Sequence, residues 1–123
     1  MRKTCDIFAI VIGAFLLIEG IWGLNSEVVF GILTTNRTHA IIHILLGLIG
    51  IVLGWRGAAR GFCIFLGLLL LAVGILRFVP GVSDIIVSIL NVNFAVAWLN
   101  IVVGAVALLT SLVGQKSVIR REQ

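Results

Sequence analysis

The chain has 123 residues, of which 61% are hydrophobic and 11% charged, with a net charge of +4, a pI near 10.1 and a mean hydropathy of +1.27. An ordinary soluble domain carries roughly 25% charged residues, so a water-soluble globule of this length is excluded. About 20 apolar residues cross a bilayer as a helix, and four such segments with their loops fill 1–123 as a single transmembrane domain.

Taken in chain order, the first predicted span runs from Cys5 to Leu24. Arg2 and Lys3 before an apolar run suggest a signal peptide, but Glu19 interrupts the pattern that cleavage needs, and the segment is read as a mature helix. Spans follow at Thr38 to Trp55, Gly61 to Val79 and Phe94 to Gly114. Lipid offers backbone groups no partner, so each must be helical. The uncharged stretch from Ile85 to Gln115 is 31 residues, about 46 Å as one helix at 1.5 Å per residue, and must break. Asn91-Val92-Asn93 is the expected break, with Asn93 capping the last span as Asn36 caps the second, while Pro80-Gly81 stops the third. Between spans, Ser26-Glu27 before Val28-Val29-Phe30 and Ser83-Asp84 before Ile85-Ile86-Val87 read as short capped helices lying in the outer interface.

The chain is written twice. From Ser26 to Gly104 the offset is 57, so Ser26 returns as Ser83, Ile32-Leu33 as Ile89-Leu90, Asn36 as Asn93 and Gly47 as Gly104. Upstream the offset is 54, pairing Phe8, Gly13, Leu16 and Gly20 with Phe62, Gly67, Leu70 and Gly74. The fold class is therefore all-α: a membrane four-helix bundle of two tandem helical hairpins, repeat 1 at about 5–55 and repeat 2 at about 61–114. Because each repeat holds two spans, the copies enter the membrane in the same direction and relate as parallel repeats.

Seven of the nine Lys and Arg residues fall on one side; only Arg37 and Arg77 fall on the other. Basic short loops stay cytoplasmic, which places both termini inside. The charge is then a topology signal and a contact for membrane lipids, and requires no nucleic acid.

Gly13 and Gly20, Gly47 and Gly54, Gly67 and Gly74, and Gly104 with Ser111 are each seven apart, so every span carries a seam of small residues on one face. Such seams let backbones approach where lipid removes the hydrophobic drive for association. They are expected to press the helices into a bundle with little room for a wide aqueous pore.

Polar groups inside the spans are the only chemical candidates: Glu19, His39, His43, Arg77 and Asn100. An ionised side chain costs on the order of 2.5–3.5 kcal/mol at the membrane centre, so Glu19 needs a partner or a proton, with Arg77 as the opposite charge. His43 and Asn100 each precede a seam glycine by four residues and face the seam, where they can hydrogen-bond across the pseudo-axis. Glu19, His39 and His43 form the only conceivable metal set, but without a His-Glu-x-x-His motif or a second carboxylate no metal and no cofactor is expected. Ser83, Ser88 and Thr110 have no histidine partner, so no catalytic residues are assigned. Cys5 and Cys63 lie near cytoplasmic ends, which argues against a disulfide. Asn36-Arg37-Thr38 matches a glycosylation sequon but is read as a cap.

Phe30-Gly31-Ile32-Leu33, Asn36 and His43-x-x-x-Gly47, followed by Ile89-Leu90-Asn91-Val92-Asn93 and Asn100-x-x-x-Gly104, resemble a family of small four-helix bacterial and cyanobacterial integral membrane proteins, domain of unknown function 4383. Asn100 stands where a second histidine is expected. The resemblance implies a four-span fold in a prokaryotic cytoplasmic or thylakoid membrane and supplies no reaction. With its sequence given over to packing, the chain is expected to be an accessory subunit of a membrane complex or a homo-oligomeric scaffold rather than an enzyme. The alternative is a solute, ion or proton pathway through the Glu19, His39, His43 and Arg77 cluster.

Overall fold

A computed structural model describes the backbone of residues 4–122 and the side chains of residues 4–112. Among these residues the chain forms five helices and one two-stranded hairpin: α1 (Thr4–Asn25), β1 (Val28–Val29), β2 (Leu33–Thr34), α2 (Arg37–Trp55), α3 (Arg60–Leu76), α4 (Val82–Leu90) and α5 (Phe94–Glu122). By length and composition α1, α2 and the Phe94–Leu112 part of α5 can cross a membrane, and α3 is a shorter apolar helix. Outward faces are apolar: Val11, Leu45, Leu68, Val102 and Leu109 are all exposed.

The buried positions follow helical spacing and coincide with the small-residue seams. In α2 they are His39, Ala40, His43, Leu46, Gly47, Gly50 and Gly54. These seams bring α1 against α2 and α3 against α5. A Cβ on Gly13 would stand 2.7 Å from the Gly47 carbonyl oxygen, and one on Gly47 2.6 Å from that of Gly13. Gly67 and Gly104 repeat the contact: a Cβ added to either would stand 2.9 Å from the other's carbonyl oxygen. A Cβ added to Gly20 would stand 2.7 Å from the Ala40 carbonyl oxygen, and one on Gly74 2.7 Å from that of Ala97. The glycine seams thus lie inside each helix pair, whereas Cys5, Ala9, Leu46, Phe62, Cys63 and Leu66 form a larger apolar core that joins the pairs.

Cys5 Sγ donates to the Thr110 carbonyl at 3.2 Å, and Arg60 Nε to that of Ser111 at 3.4 Å, so the starts of α1 and α3 share one end with the Thr110–Ser111 turn of α5. At this end Asp6, reaching across from α1, accepts from the Ala59 backbone N–H at 3.1 Å and so caps α3. Ala59 has no side-chain acceptor of its own. Asp6→Ala is therefore expected to cost about 1–3 kcal/mol, the cost of leaving the buried Ala59 N–H without its acceptor, measured as a shift in detergent unfolding.

Three sequence expectations are corrected. Ser26 to Leu33 is not a short helix. Val28 pairs with Thr34 and Val29 with Leu33, around a turn with Phe30 at φ +54° and Gly31 at φ +76°. Gly31 disfavours a helix by about 1 kcal/mol and accepts the left-handed conformation the turn requires. The matching position in the second copy is Ser88, within α4. The third helix ends at Leu76, not Val79, because Phe78 and Val79 donate to Ile75 and Leu76 three residues back, tightening the chain ahead of Pro80. The last helix continues past Gly114 to Glu122.

Candidate functional site

α1 and α2 carry Glu19 and both histidines on their shared faces. Glu19, His39 and His43 are all buried. Glu19 Oε1 lies 3.9 Å from His43 Nδ1, an ion-pair approach longer than a hydrogen bond. The His43 ring meets His39 edge-on with centroids 4.2 Å apart. His39 Nδ1 stands 3.0 Å from the Leu90 carbonyl oxygen. A carbonyl only accepts, so His39 carries its proton on Nδ1 and leaves Nε2 as an acceptor. A row of three titratable groups therefore runs from α1 through α2 to the end of α4. Its chemistry is acid–base and hydrogen-bonding.

Arg77 does not pair with Glu19. Its Nε donates to the Val92 carbonyl at 2.6 Å, and its guanidinium lies 4.5 Å above the centre of the Phe94 ring. The break between α4 and α5 explains this. Were the helix continuous, the Val96 N–H would take the Val92 carbonyl; instead it donates to Asn93 Oδ1 at 2.9 Å, and the freed carbonyl goes to Arg77.

The same logic governs the preceding carbonyls, which a helix end leaves without partners. Asn36 Nδ2 donates to Ile89 at 2.7 Å, His39 Nδ1 to Leu90 at 3.0 Å and Thr34 Oγ1 to Asn91 at 2.6 Å. Four consecutive carbonyls, 89 to 92, are thus each met by a side chain, three of them from the first half of the chain. In the reverse direction Asn91 Nδ2 donates to Thr35 at 2.7 Å and Asn93 Nδ2 to Ile32 at 2.9 Å. Sequence reasoning recognised Asn36 and Asn93 as caps, and both are, toward His39 and Val96. It missed that their amide nitrogens clasp the loop after α1 to the end of α4 and the loop after it. The signal was present in the offset of 57, which relates Asn36 and Ile89 to Asn93 and Ile32. With oxygen and nitrogen both engaged, the Asn36 amide is a structural group, not a modification site.

Asn100 is buried on α5, and among the described residues no hydrogen bond joins it to His43 across the two halves. Gly13, Gly20, Gly47, Gly54, Gly67, Gly74 and Gly104 all make the close contacts the seam requires, and Ser111 is buried on the same face of α5. Cys5 and Cys63 are free buried thiols, with Cys63 Sγ 3.5 Å from the Cys5 carbonyl oxygen. Among the described residues no group of three or more His, Cys, Asp and Glu side chains is arranged to hold a metal ion.

Two hollows flank the β-hairpin. One is an apolar groove of about 430 Å³ between Phe15, Phe30, Leu33 and Trp98. The other, about 310 Å³, is lined by Gly23, Ser26, Glu27, Asn36 and Arg37 at the end of α1 and start of α2. Neither is lined by Glu19, His39 or His43. No curated protein and no solved structure matches the chain. Residues 6–113, however, match the family described as domain of unknown function (DUF4383), and the chain belongs to that family.

Proposed function

We propose that the protein is an integral membrane packing module: two tandem helical hairpins forming one four-helix bundle, without catalysis, that serves as an accessory subunit or self-associating scaffold. The observation that carries this reading is the recurrence of one contact in both halves. Gly13 against Gly47 and Gly20 against Ala40 match Gly67 against Gly104 and Gly74 against Ala97, at the sequence offsets of 54 and 57. Small-residue seams of this kind are how helices associate where lipid supplies no hydrophobic drive. In this arrangement α3, with 17 residues, spans about 26 Å at 1.5 Å per residue, at the short end of a crossing helix. The Arg77–Gly81 turns complete its passage to the outer interface. Arg56 and Arg60 mark the cytoplasmic side of a prokaryotic membrane, and both chain ends lie there with them.

A second reading is favoured by one observation, the row Glu19, His43 and His39. In a membrane an acid beside imidazoles is a proton-transfer element. The two readings separate in liposomes. We expect vesicles holding the chain to keep a proton gradient as long as protein-free vesicles do, while crosslinking in the bilayer captures a discrete oligomer or a partner complex. Glu19→Gln is then expected to leave the gradient unchanged. A proton leak well above the protein-free rate, abolished by Glu19→Gln or His43→Ala with the crosslinked species intact, would overturn the scaffold reading in favour of a pathway.

A further inference from the structure

The hollow at the ends of α1 and α2 holds two opposite charges that do not neutralise each other. Glu27 and Arg37 both line it and both are exposed, yet no ion pair joins them among the described residues. Two of the neighbouring polar groups are already engaged: Ser26 Oγ bonds the Val28 backbone, and Asn36 is committed at both amide atoms. Asn25 adds a neutral amide to the lining, and the charges the hollow offers a ligand are one carboxylate and one guanidinium across about 310 Å³. A simple anion meets the Glu27 charge, and a simple cation meets Arg37. A ligand with one charge of each sign satisfies both.

The surroundings select the source. Trp22, Leu24 and Phe30 are exposed around this end of α1, the arrangement of residues that sit at headgroup depth. Arg37 is the first residue of α2, where the helix end itself favours negative charge. We propose that this hollow seats the headgroup of one phospholipid whose phosphate lies on Arg37 and whose primary ammonium lies on Glu27, a phosphoethanolamine headgroup. A primary ammonium donates hydrogen bonds to the carboxylate, which a glycerol headgroup cannot match with charge. The corresponding residues of the second copy are Asp84 and Phe94, which lack the cation, so the stoichiometry is one lipid per chain.

The inference rests on the membrane placement proposed above, and its test separates the two. The full chain is reconstituted in nanodiscs of equal phosphatidylethanolamine and phosphatidylglycerol, released into the gas phase, and its retained lipids are weighed. We expect one phosphatidylethanolamine retained about five- to tenfold over phosphatidylglycerol, the worth of one ordinary hydrogen bond at an exposed site. Glu27→Gln should erase the preference while lipid is still retained, and Arg37→Gln should reduce retention of both. Equal retention of the two lipids by the unaltered chain, or a preference untouched by both variants, overturns the proposal while leaving the membrane reading in place. Displacement of the lipid by millimolar free phosphoethanolamine also overturns it, making the site one for a soluble zwitterion. Failure of the chain to enter nanodiscs at all removes the membrane reading itself.

Discussion

Gly47→Ala is expected to lower the stability of the helical fold by about 1–3 kcal/mol, the usual cost of forcing a methyl into a filled interior. The methyl would stand 2.6 Å from the Gly13 carbonyl oxygen, 2.8 Å from Leu17 N and 3.2 Å from Leu17 Cα. All three are backbone atoms, so no side chain can turn aside and α1 must move away from α2. Gly104→Ala meets the same geometry in the second half, but its nearest atoms lie farther off, at 2.9 and 3.0 Å, and one of the three is a side-chain atom, Leu71 Cγ. Its cost should be smaller. Gly61→Ala is the control: nothing lies within 4 Å of the added carbon at the start of α3, and replacing a helical glycine gains up to about 1 kcal/mol. Helicity followed through a titration from mild detergent into dodecyl sulfate would rank the three. If Gly47→Ala unfolds no earlier than Gly61→Ala, α1 and α2 do not meet as closely as described.

The seams were legible because a seven-residue spacing of glycines returns every second turn to the same face, and that is local arithmetic. Which neighbour each seam meets is not local. From the sequence the stripes were expected to press the helices into one bundle without naming the pairs; they close α1 on α2 and α3 on α5, and Cys5, Ala9, Phe62 and Leu66 join the pairs. The break at Asn91-Val92-Asn93 was legible from length alone, and Asn91 takes the left-handed conformation at φ +52° that ends α4. The hairpin at Ser26 was hidden by its own repeat. The later connection, 77–93 between α3 and α5, is six residues longer than 26–36 between α1 and α2 and has room for α4, whereas the earlier one spends similar apolar letters on two short strands.

Of the polar cluster, the residues were legible and their partners were not. Charge pairing alone selects Arg77 for Glu19, because it is the only opposite charge nearby in depth. The contest is decided by backbone carbonyls that a sequence does not display. Once Asn93 takes the Val96 N–H, Val92 needs a donor, and Arg77 supplies it from 2.6 Å. Glu19 is then left beside His43, and His39 is drawn to Leu90. His39 thus has a structural task, holding the end of α4, independent of whether the row conducts protons.

Those carbonyls make the outer clasp the second large determinant of stability. Asn93→Ala is expected to cost about 1–3 kcal/mol, since it removes a helix cap worth about 1 kcal/mol and a cross-loop hydrogen bond of similar size. Asn93→Asp separates the two roles. Its carboxylate still accepts from Val96 and suits the start of α5, but it has no N–H for the Ile32 carbonyl, so only the cross-loop part should be lost. Asn36→Ala removes the mirror bond to Ile89. Because both asparagines hold the same pair of loops, the double variant should depart from additivity by about 0.5 kcal/mol or more, as coupled sites do. Once either bond has opened the loops, the other has less left to hold. Hydrogen exchange at the Val96 amide distinguishes a frayed cap from parted loops, rising strongly in Asn93→Ala and little in Asn93→Asp. Strict additivity of the two alanine variants would mean that each asparagine acts only on its own helix, and that the reciprocal bonds between the loops contribute nothing to holding the halves together.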